Sequence, residues 1–421
     1  MKKRDFLKSL GLMGLAVPAE MKAVARILEE VPQQSADLLA IDEDFWMKIR
    51  QSYRIKPDYI NLENGYYCML PEATLEHYLE LIRKVNYDAS WYMRTVQWEN
   101  KAKSAAALAA LAGCEEDELV ITRNTTESLD IIIAGKSWEK GDEAVMALQD
   151  YGAMLNQFKL MERRYGIVNK YVSIPNHPKS DQELVALYAD AITPKTKLLM
   201  ICHMVNITGQ VLPVRKICDM AHEKGVEVMV DGAHAFAQLD FSIPDLNCDY
   251  YGTSLHKWLS VPLGAGFLYV KKPKSKEIWP LLAEDDRYDD GIQRLNHTGT
   301  HPVHTDLAIL QAINFHQMIG IERKSKRLNY LQHYWTSQLR GVEKVIINTP
   351  ADRARHGAIG NVGVEGIEPK DLAKMMLEEY GIWTVAIDRP GVRGLRVTPN
   401  VYTTTEELDT LVEAVKTIAV S

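Results

Sequence analysis

Between residues 64 and 270 the sequence alternates apolar stripes at helical spacing with short β-branched or apolar runs bounded by turn residues. That alternation is the strongest constraint on the fold, because a strand that must return parallel to its neighbour needs a helical crossover to do so. KLLMICH (197–203), VEVMVD (226–231) and GFLYV (266–270) read as buried strands. PVRKICDMAHEKG (213–225) opens with Pro213, stops at Gly225 and sets Val214, Ile217, Cys218 and Ala221 on one face, as a crossover helix does. The stretches 99–113 and 181–191 carry the same helical stripe. The expectation is an α/β domain with a largely parallel sheet, over residues 60–290.

Past about residue 290 the texture changes. Residues 306–340 read as helical, VIIN (345–348) as a strand and 369–380 as helical; LRVTPN and an amphipathic helix from Glu406 to Ala419 follow. This predicts a smaller α+β domain over 291–421, joined by part of 40–60, with a site between the two domains. Lys+Arg 49 against Asp+Glu 56 leaves a net charge of −7, the wrong sign for a surface that neutralises nucleic-acid phosphates. The five cysteines form no CxxC or Cys/His ladder, so they read as small buried apolar residues and no metal is expected. His297, His301 and His304 share a loop with Pro302 and show no acid pattern beside them.

At the N-terminus, Lys2, Lys3, Arg4 and Lys8 precede a short apolar segment from Leu10 to Val17 and then Ala19, the layout of a signal peptide over residues 1–25. Lys3-Arg4-Asp5-Phe6-Leu7-Lys8 resembles the twin-arginine export motif, with lysine in place of the first arginine. Periplasmic export of the folded protein is expected; the alternative is a basic cytoplasmic tail. Beyond that segment no apolar run approaches the roughly 18 residues needed to span a bilayer, so membrane insertion of the mature chain is not expected.

The chemistry is concentrated between Asp231 and Lys257. Asp231 closes an apolar strand, and an acid at the carboxyl end of such a strand faces the crevice where ligands bind. DYYGTSLHKW then presents Ser254, His256 and Lys257 after another short strand, which makes Lys257 a candidate amine nucleophile. An acid that can pair with a pyridinium nitrogen and a lysine that can form an imine with an aldehyde are the two groups pyridoxal phosphate chemistry requires. Thr125 and Thr126, at the start of an apolar-periodic helix with Glu127 in its first turn, supply hydroxyls and free N–H groups for a phosphate.

In order, NTTE (124–127), Asp150-Tyr151, VNITG (205–209), DGAHA (231–235), TSLHKW (253–258) and LGAGFLYV (263–270) resemble the motifs of the class V aminotransferase family. The resemblance covers nearly all of residues 60–417; DGAHA and RVTPNVYTTTEELDTLVEAV are most similar to the isopenicillin N epimerase branch. It implies the fold-type I architecture of pyridoxal phosphate enzymes, a seven-stranded, mainly parallel sheet plus a small α+β domain. It also implies Lys257 as the imine-forming lysine, Asp231 at the pyridine nitrogen, His234 and Asn206 near the ring and its 3′ oxygen, and Tyr151 on the ring face. Thr125, Thr126, Ser254 and His256 would hold the phosphate. Thr300, in HTGTHP, matches a position that reaches the phosphate of a neighbouring subunit, implying a homodimer, and Arg396 matches the arginine that clamps the substrate α-carboxylate. Asn64 and Tyr66 fall in a region that lies near the substrate in the family.

The implied activity is a reaction at the Cα of an amino acid or a small amino-acid-like amine, of the isopenicillin N epimerase type. A class V aminotransferase producing a keto acid and a non-catalytic periplasmic amino-acid binder remain open. Cysteine desulfuration needs a mobile cysteine shortly before the carboxylate arginine, and Gly381 to Arg396 contains none.

Overall fold

The computed structural model describes residues 34–283 and 291–420; the expected signal segment lies outside them. After β1 (Ile60–Asn61), seven strands build the main sheet: β2 (Leu119–Thr122), β3 (Glu143–Ala147), β4 (Val168–Val172), β5 (Thr196–Cys202), β6 (Glu227–Asp231), β7 (Tyr250–Ser254) and β8 (Gly266–Val270). Their order is β2-β8-β7-β6-β5-β3-β4. Only β8 runs antiparallel, between β2 and β7.

The apolar runs are continuous rather than alternating because both faces of this sheet are covered. Leu199, Ile201, Val228, Val230 and Tyr251 enter one core with Leu184, Tyr188, Ile217, Cys218 and Ala221 of the crossover helices 181–191 and 214–223. Leu198, Met200, Met229 and Tyr250 enter the other, against Leu129, Ile132 and Ile133 of helix 125–135 and Phe158 and Met161 of helix 152–165. The predicted helix 213–225 is observed as Val214–Glu223, behind Pro213 and before Gly225, where φ of +71° favours glycine. Helix 125–135 packs directly on β7 at Gly252, where a Cβ would come within 2.7 Å of Leu129 and 2.9 Å of Ser128.

The region read as helical over 306–340 is two helices, Val303–Ile319 and Ile321–Leu339, broken at Gly320 with φ +85°. Then come β9 (Val345–Ile347), β10 (Gly360–Val364), β11 (Ile382–Trp383), β12 (Val385–Arg389) and β13 (Val392–Val397). The antiparallel order is β12-β13-β10-β9, and β11 pairs instead with β1. Glu63 continues that pairing as a parallel bridge to Thr398, so residues 60–63 run along the C-terminal part of the chain. Among the described residues no helix is long and apolar enough to cross a membrane. In the histidine loop, His301 Nε2 meets the carboxylate of Asp306 at 2.7 Å, an acid the sequence reading did not connect to it.

Candidate active site

Five of the six parallel strands of the main sheet deliver the groups of one cavity of about 310 Å³ from their carboxyl ends. Arg123, Asn124, Thr125 and Thr126 follow β2, Tyr151 follows β3, Cys202 and Asn206 come from the end of β5, Asp231 ends β6, and Ser254, His256 and Lys257 end or follow β7. This is the ligand side of an open α/β sheet. Arg396 of β13, with Gly65 and Tyr66, supplies a further wall.

At one end, the first residue of helix 125–135 is tied to β7: the Thr125 N–H donates to Ser254 Oγ at 2.9 Å and the two hydroxyls lie 2.7 Å apart. Asn124 caps the helix, accepting from the Glu127 N–H at 2.9 Å. Hydroxyls and a helix N-terminus together favour an anion. At the other end Asp231 is 5% exposed and accepts from the Ala233 N–H at 2.9 Å. Burial pushes its carboxyl above the usual range, opposed by the charge of Lys257. Asp150, which the sequence reading used only to locate Tyr151, is also buried, accepts from the Ala147 N–H at 2.7 Å, and is pushed by burial up to about 7.

Lys257 and His234 form the centre. Lys257 Nζ lies 3.1 Å from His234 Nε2, and the indole N–H of Trp258 donates to His234 Nδ1 at 3.4 Å. Burial, the charge of Lys257 and that of Arg396 hold His234 well below the usual imidazole range, so the ring is neutral. With Nδ1 accepting from Trp258, Nε2 carries the ring proton and can donate to Lys257 only when the lysine is unprotonated. Burial draws the Lys257 pKa down to about 8, opposed by the charge of Asp231. Trp258 and this tautomer were not legible from the motif.

The VNITG turn closes on Gly209, with φ of +76°, where a Cβ would lie 1.9 Å from the Ile359 carbonyl; glycine is required there. The turn presents Asn206, whose buried side-chain oxygen has no partner among the described residues, and a second such atom is Nδ1 of His256. Burial pulls His256 down to about 4, so it too is neutral. Tyr151, 44% exposed, stands at the cavity wall before helix 152–165, and Tyr66, 74% exposed, at its mouth. Thr300 is exposed and is not part of this cavity's lining.

Asn64 is a correction. It is fully buried, its amide donates to the Thr398 carbonyl at 2.8 Å and its oxygen accepts from the Tyr402 hydroxyl at 2.7 Å. With its hydrogen bonds spent on the scaffold it does not line the cavity; its neighbours Gly65 and Tyr66 do. Glu63 was missed. It pairs with Arg396, and the only sequence signal was an acid just before an Asn-Gly turn.

Pyridoxal phosphate fits these groups: an anion cradle at Thr125 and Ser254, a buried acid at Asp231, a low-pKa amine at Lys257, and buried unpartnered polar atoms on Asn206 and His256, two residues that line the cavity. The family model for aminotransferase class-V matches residues 69–411. The chain is 25% identical over 390 residues to isopenicillin N epimerase of Streptomyces clavuligerus, covering 88% of this chain and 97% of that protein. It is 26% identical over 343 residues to a cysteine desulfurase of Haloferax volcanii, covering 76% and 79%. Among solved structures, an apo cysteine desulfurase from Thermococcus onnurineus shares the fold with a TM-score of 0.78 at 20% identity, covering 88% of this chain and 97% of that one. A mutant of C-DES with glycine covalently linked to its PLP cofactor superposes with a TM-score of 0.79 at 21% identity, covering 87% and 98%. The chain belongs to the class V aminotransferase family, fold-type I enzymes whose cofactor is pyridoxal 5′-phosphate.

Proposed function

We propose that this protein acts at the Cα of an amino acid or amino-acid-like substrate, in the manner of isopenicillin N epimerase. The observation that carries the reading is the neutral His234 directed at Lys257, inside a cavity walled by Asp231 and Arg396. When bound, pyridoxal phosphate supplies an electron sink for a carbanion at Cα. Asp231 would hold the ring nitrogen protonated, Thr125, Thr126, Ser254 and His256 would hold the phosphate, and Asn206 and Tyr151 would lie beside the ring. Lys257 would take and return the Cα proton on its own face, with His234 Nε2 3.1 Å from it; inversion requires a proton donor on the opposite face as well. The planar fork of Arg396 holds the α-carboxylate.

Proton NMR of an amino-acid panel with holoenzyme in deuterated water tests this. Deuterium at Cα with the amine retained is expected, and Lys257→Ala should lose both the exchange and the visible absorbance of lysine-bound cofactor. An unchanged spectrum in that variant overturns the assignment. Among the described residues Lys257 is the single lysine in the cavity wall, and one amine base suffices for transamination, which the same experiment reads as a keto acid. Binding of amino acids without any exchange would identify a non-catalytic binder. Cysteine desulfuration is disfavoured: Gly381–Arg396 has no cysteine, and the thiol of Cys202 in the cavity wall is held well above its usual range by burial and by Asp150 and Asp231.

Two further expectations belong to the same reading. A homodimer is supported by the resemblance of Thr300 to the family position that reaches a neighbouring subunit's phosphate, and light scattering of the holoenzyme would show a mass twice that of the chain. Periplasmic export is supported by residues 1–25; fractionation that leaves the full-length chain in the cytoplasm, with Met1 or Lys2 at its terminus, overturns it.

A further inference from the structure

Arg396 does not stand in the cavity as a bare cation. Glu63 grips one edge of its guanidinium, with Nη2 donating to Oε1 at 2.5 Å and Nε to Oε2 at 3.1 Å. The Tyr66 backbone N–H adds a third bond to Oε1 at 2.9 Å. Both side chains are nearly enclosed, at 10% and 6% exposure. Only Arg396 lines the cavity, so the Glu63 carboxylate lies behind the guanidinium instead of filling the space a ligand would take.

The backbone makes this seat rigid. Glu63 bridges Thr398, two residues beyond Arg396, and Thr398 Oγ1 accepts the N–H groups of Asn64 at 2.6 Å and Gly65 at 3.1 Å. Gly65 lies flat against the guanidinium: a Cβ there would sit 3.2 Å from both Cζ and Nη2. The remaining edge is weakly used, Nη1 reaching the Asn206 carbonyl at 3.4 Å. Glu63 offsets part of the Arg396 charge from behind, while the guanidinium charge still reaches His234 and Lys257.

We propose that Glu63 is a positioning and specificity-determining residue, holding Arg396 from behind so that its Nη1 edge faces the cavity and recognises a carboxylate by hydrogen-bond direction as well as by charge. This rests on the reading of Arg396 as the substrate-carboxylate site. The ligand it selects is an amine whose carboxylate is separated from the nitrogen by one or two atoms, close enough to meet the guanidinium while the nitrogen engages the cofactor. Glu63→Gln keeps the size but removes one strong acceptor and the balancing charge, freeing the guanidinium to turn.

The test uses two probes that capture the cofactor aldehyde of the holoenzyme irrespective of the natural substrate: aminooxyacetate, which carries a carboxylate, and methoxyamine, which does not. Loss of lysine-bound cofactor absorbance reports each capture. The wild-type protein should prefer aminooxyacetate, and Glu63→Gln should reduce that preference about tenfold, with methoxyamine capture changed less than about twofold. Glu63→Asp, which keeps both oxygens, should recover part of the preference. Gly65→Ala, which presses on the guanidinium without altering any charge, should lower it severalfold and serves if Glu63→Gln fails to fold. A wild-type preference that survives Glu63→Gln, or a loss shared equally by both probes, overturns the role of Glu63 alone. No preference in the wild-type protein overturns the reading of Arg396, and the role of Glu63 with it.

Discussion

Two nearly buried arginines, each gripped by a glutamate, do opposite work. Arg327, on helix 321–339, is fully enclosed: Nη1 donates to Glu43 Oε1 at 2.5 Å and to the Ala40 carbonyl at 3.0 Å, and Nη2 to Glu43 Oε2 and the Thr403 carbonyl, each at 3.1 Å. Its guanidinium carbon also lies 5.6 Å from the ring centres of Trp46 and Tyr330. Both of its terminal nitrogens are spent joining the N-terminal helices to the C-terminal part of the chain. Arg396 is gripped on one edge only and keeps the other toward a cavity. The difference teaches that function lies in where an unspent donor sits: Arg327 keeps only an enclosed Nε without a partner among the described residues, whereas Arg396 keeps a terminal nitrogen at a cavity wall.

The comparison can be broken at its strongest point first. Arg327→Ala leaves the buried carbonyls of Ala40 and Thr403 and the partly exposed Glu43 without their donor, and should cost about 2–4 kcal/mol in guanidinium unfolding while leaving the probe preference of folded protein unchanged. Arg396→Ala should invert that pattern. It should lose about 2–3 kcal/mol of carboxylate recognition, roughly 30- to 150-fold in the aminooxyacetate preference, with a smaller stability loss because water in the cavity can reach Glu63.

Acid acts on a different set of buried groups, the histidines. Burial depresses His203 to about 3 and His356 to about 4, and His234 and His316 lie well below the ordinary value as well. The unfolded chain therefore binds more protons than the folded one below pH 6.5, so stability is fully present above that value and falls as the pH drops. Each histidine contributes up to about 1.4 kcal/mol per pH unit, and urea midpoints between pH 7 and 5 should show the decline. Lys257 has the same sign of shift and a different readout: apoenzyme should capture added pyridoxal phosphate faster as the pH rises toward about 8, where the amine loses its proton, and level off above it. The smallest effect belongs to Arg393, whose pairs with Glu368 and Asp388 are solvated; Arg393→Ala should leave the unfolding midpoint and the probe preference where they were.

The pattern of legibility follows the same division. Strands β5, β6 and β8 and the helix after Pro213 were readable because burial on two faces writes itself into local sequence as an uninterrupted apolar run. Asp231 and Lys257 were readable because each sits at the end of such a strand, where chain direction alone aims it at the ligand side. Asn64 was misread for want of its partners, Thr398 and Tyr402, which lie 334 and 338 residues away. The tautomer of His234 depended on Trp258, adjacent to Lys257 in the chain but contributing through its indole N–H, a contact no spacing encodes.

By itself the sequence determined the α/β layering and brought Asp231, Lys257 and the hydroxyl-bearing helix start to the carboxyl ends of the strands, where they line one cavity, because each depends on periodicity or chain direction over a few residues. Only the tertiary structure decided which of two arginine–glutamate pairs has its arginine enclosed and which has it at a cavity wall. Glu63 and Arg396 stand 333 residues apart, and their meeting depends on β1 and Glu63 running beside the strands that end the chain. A guanidinium looks the same in any sequence; the number of donors it has left is set by what the fold brings within 3 Å of it.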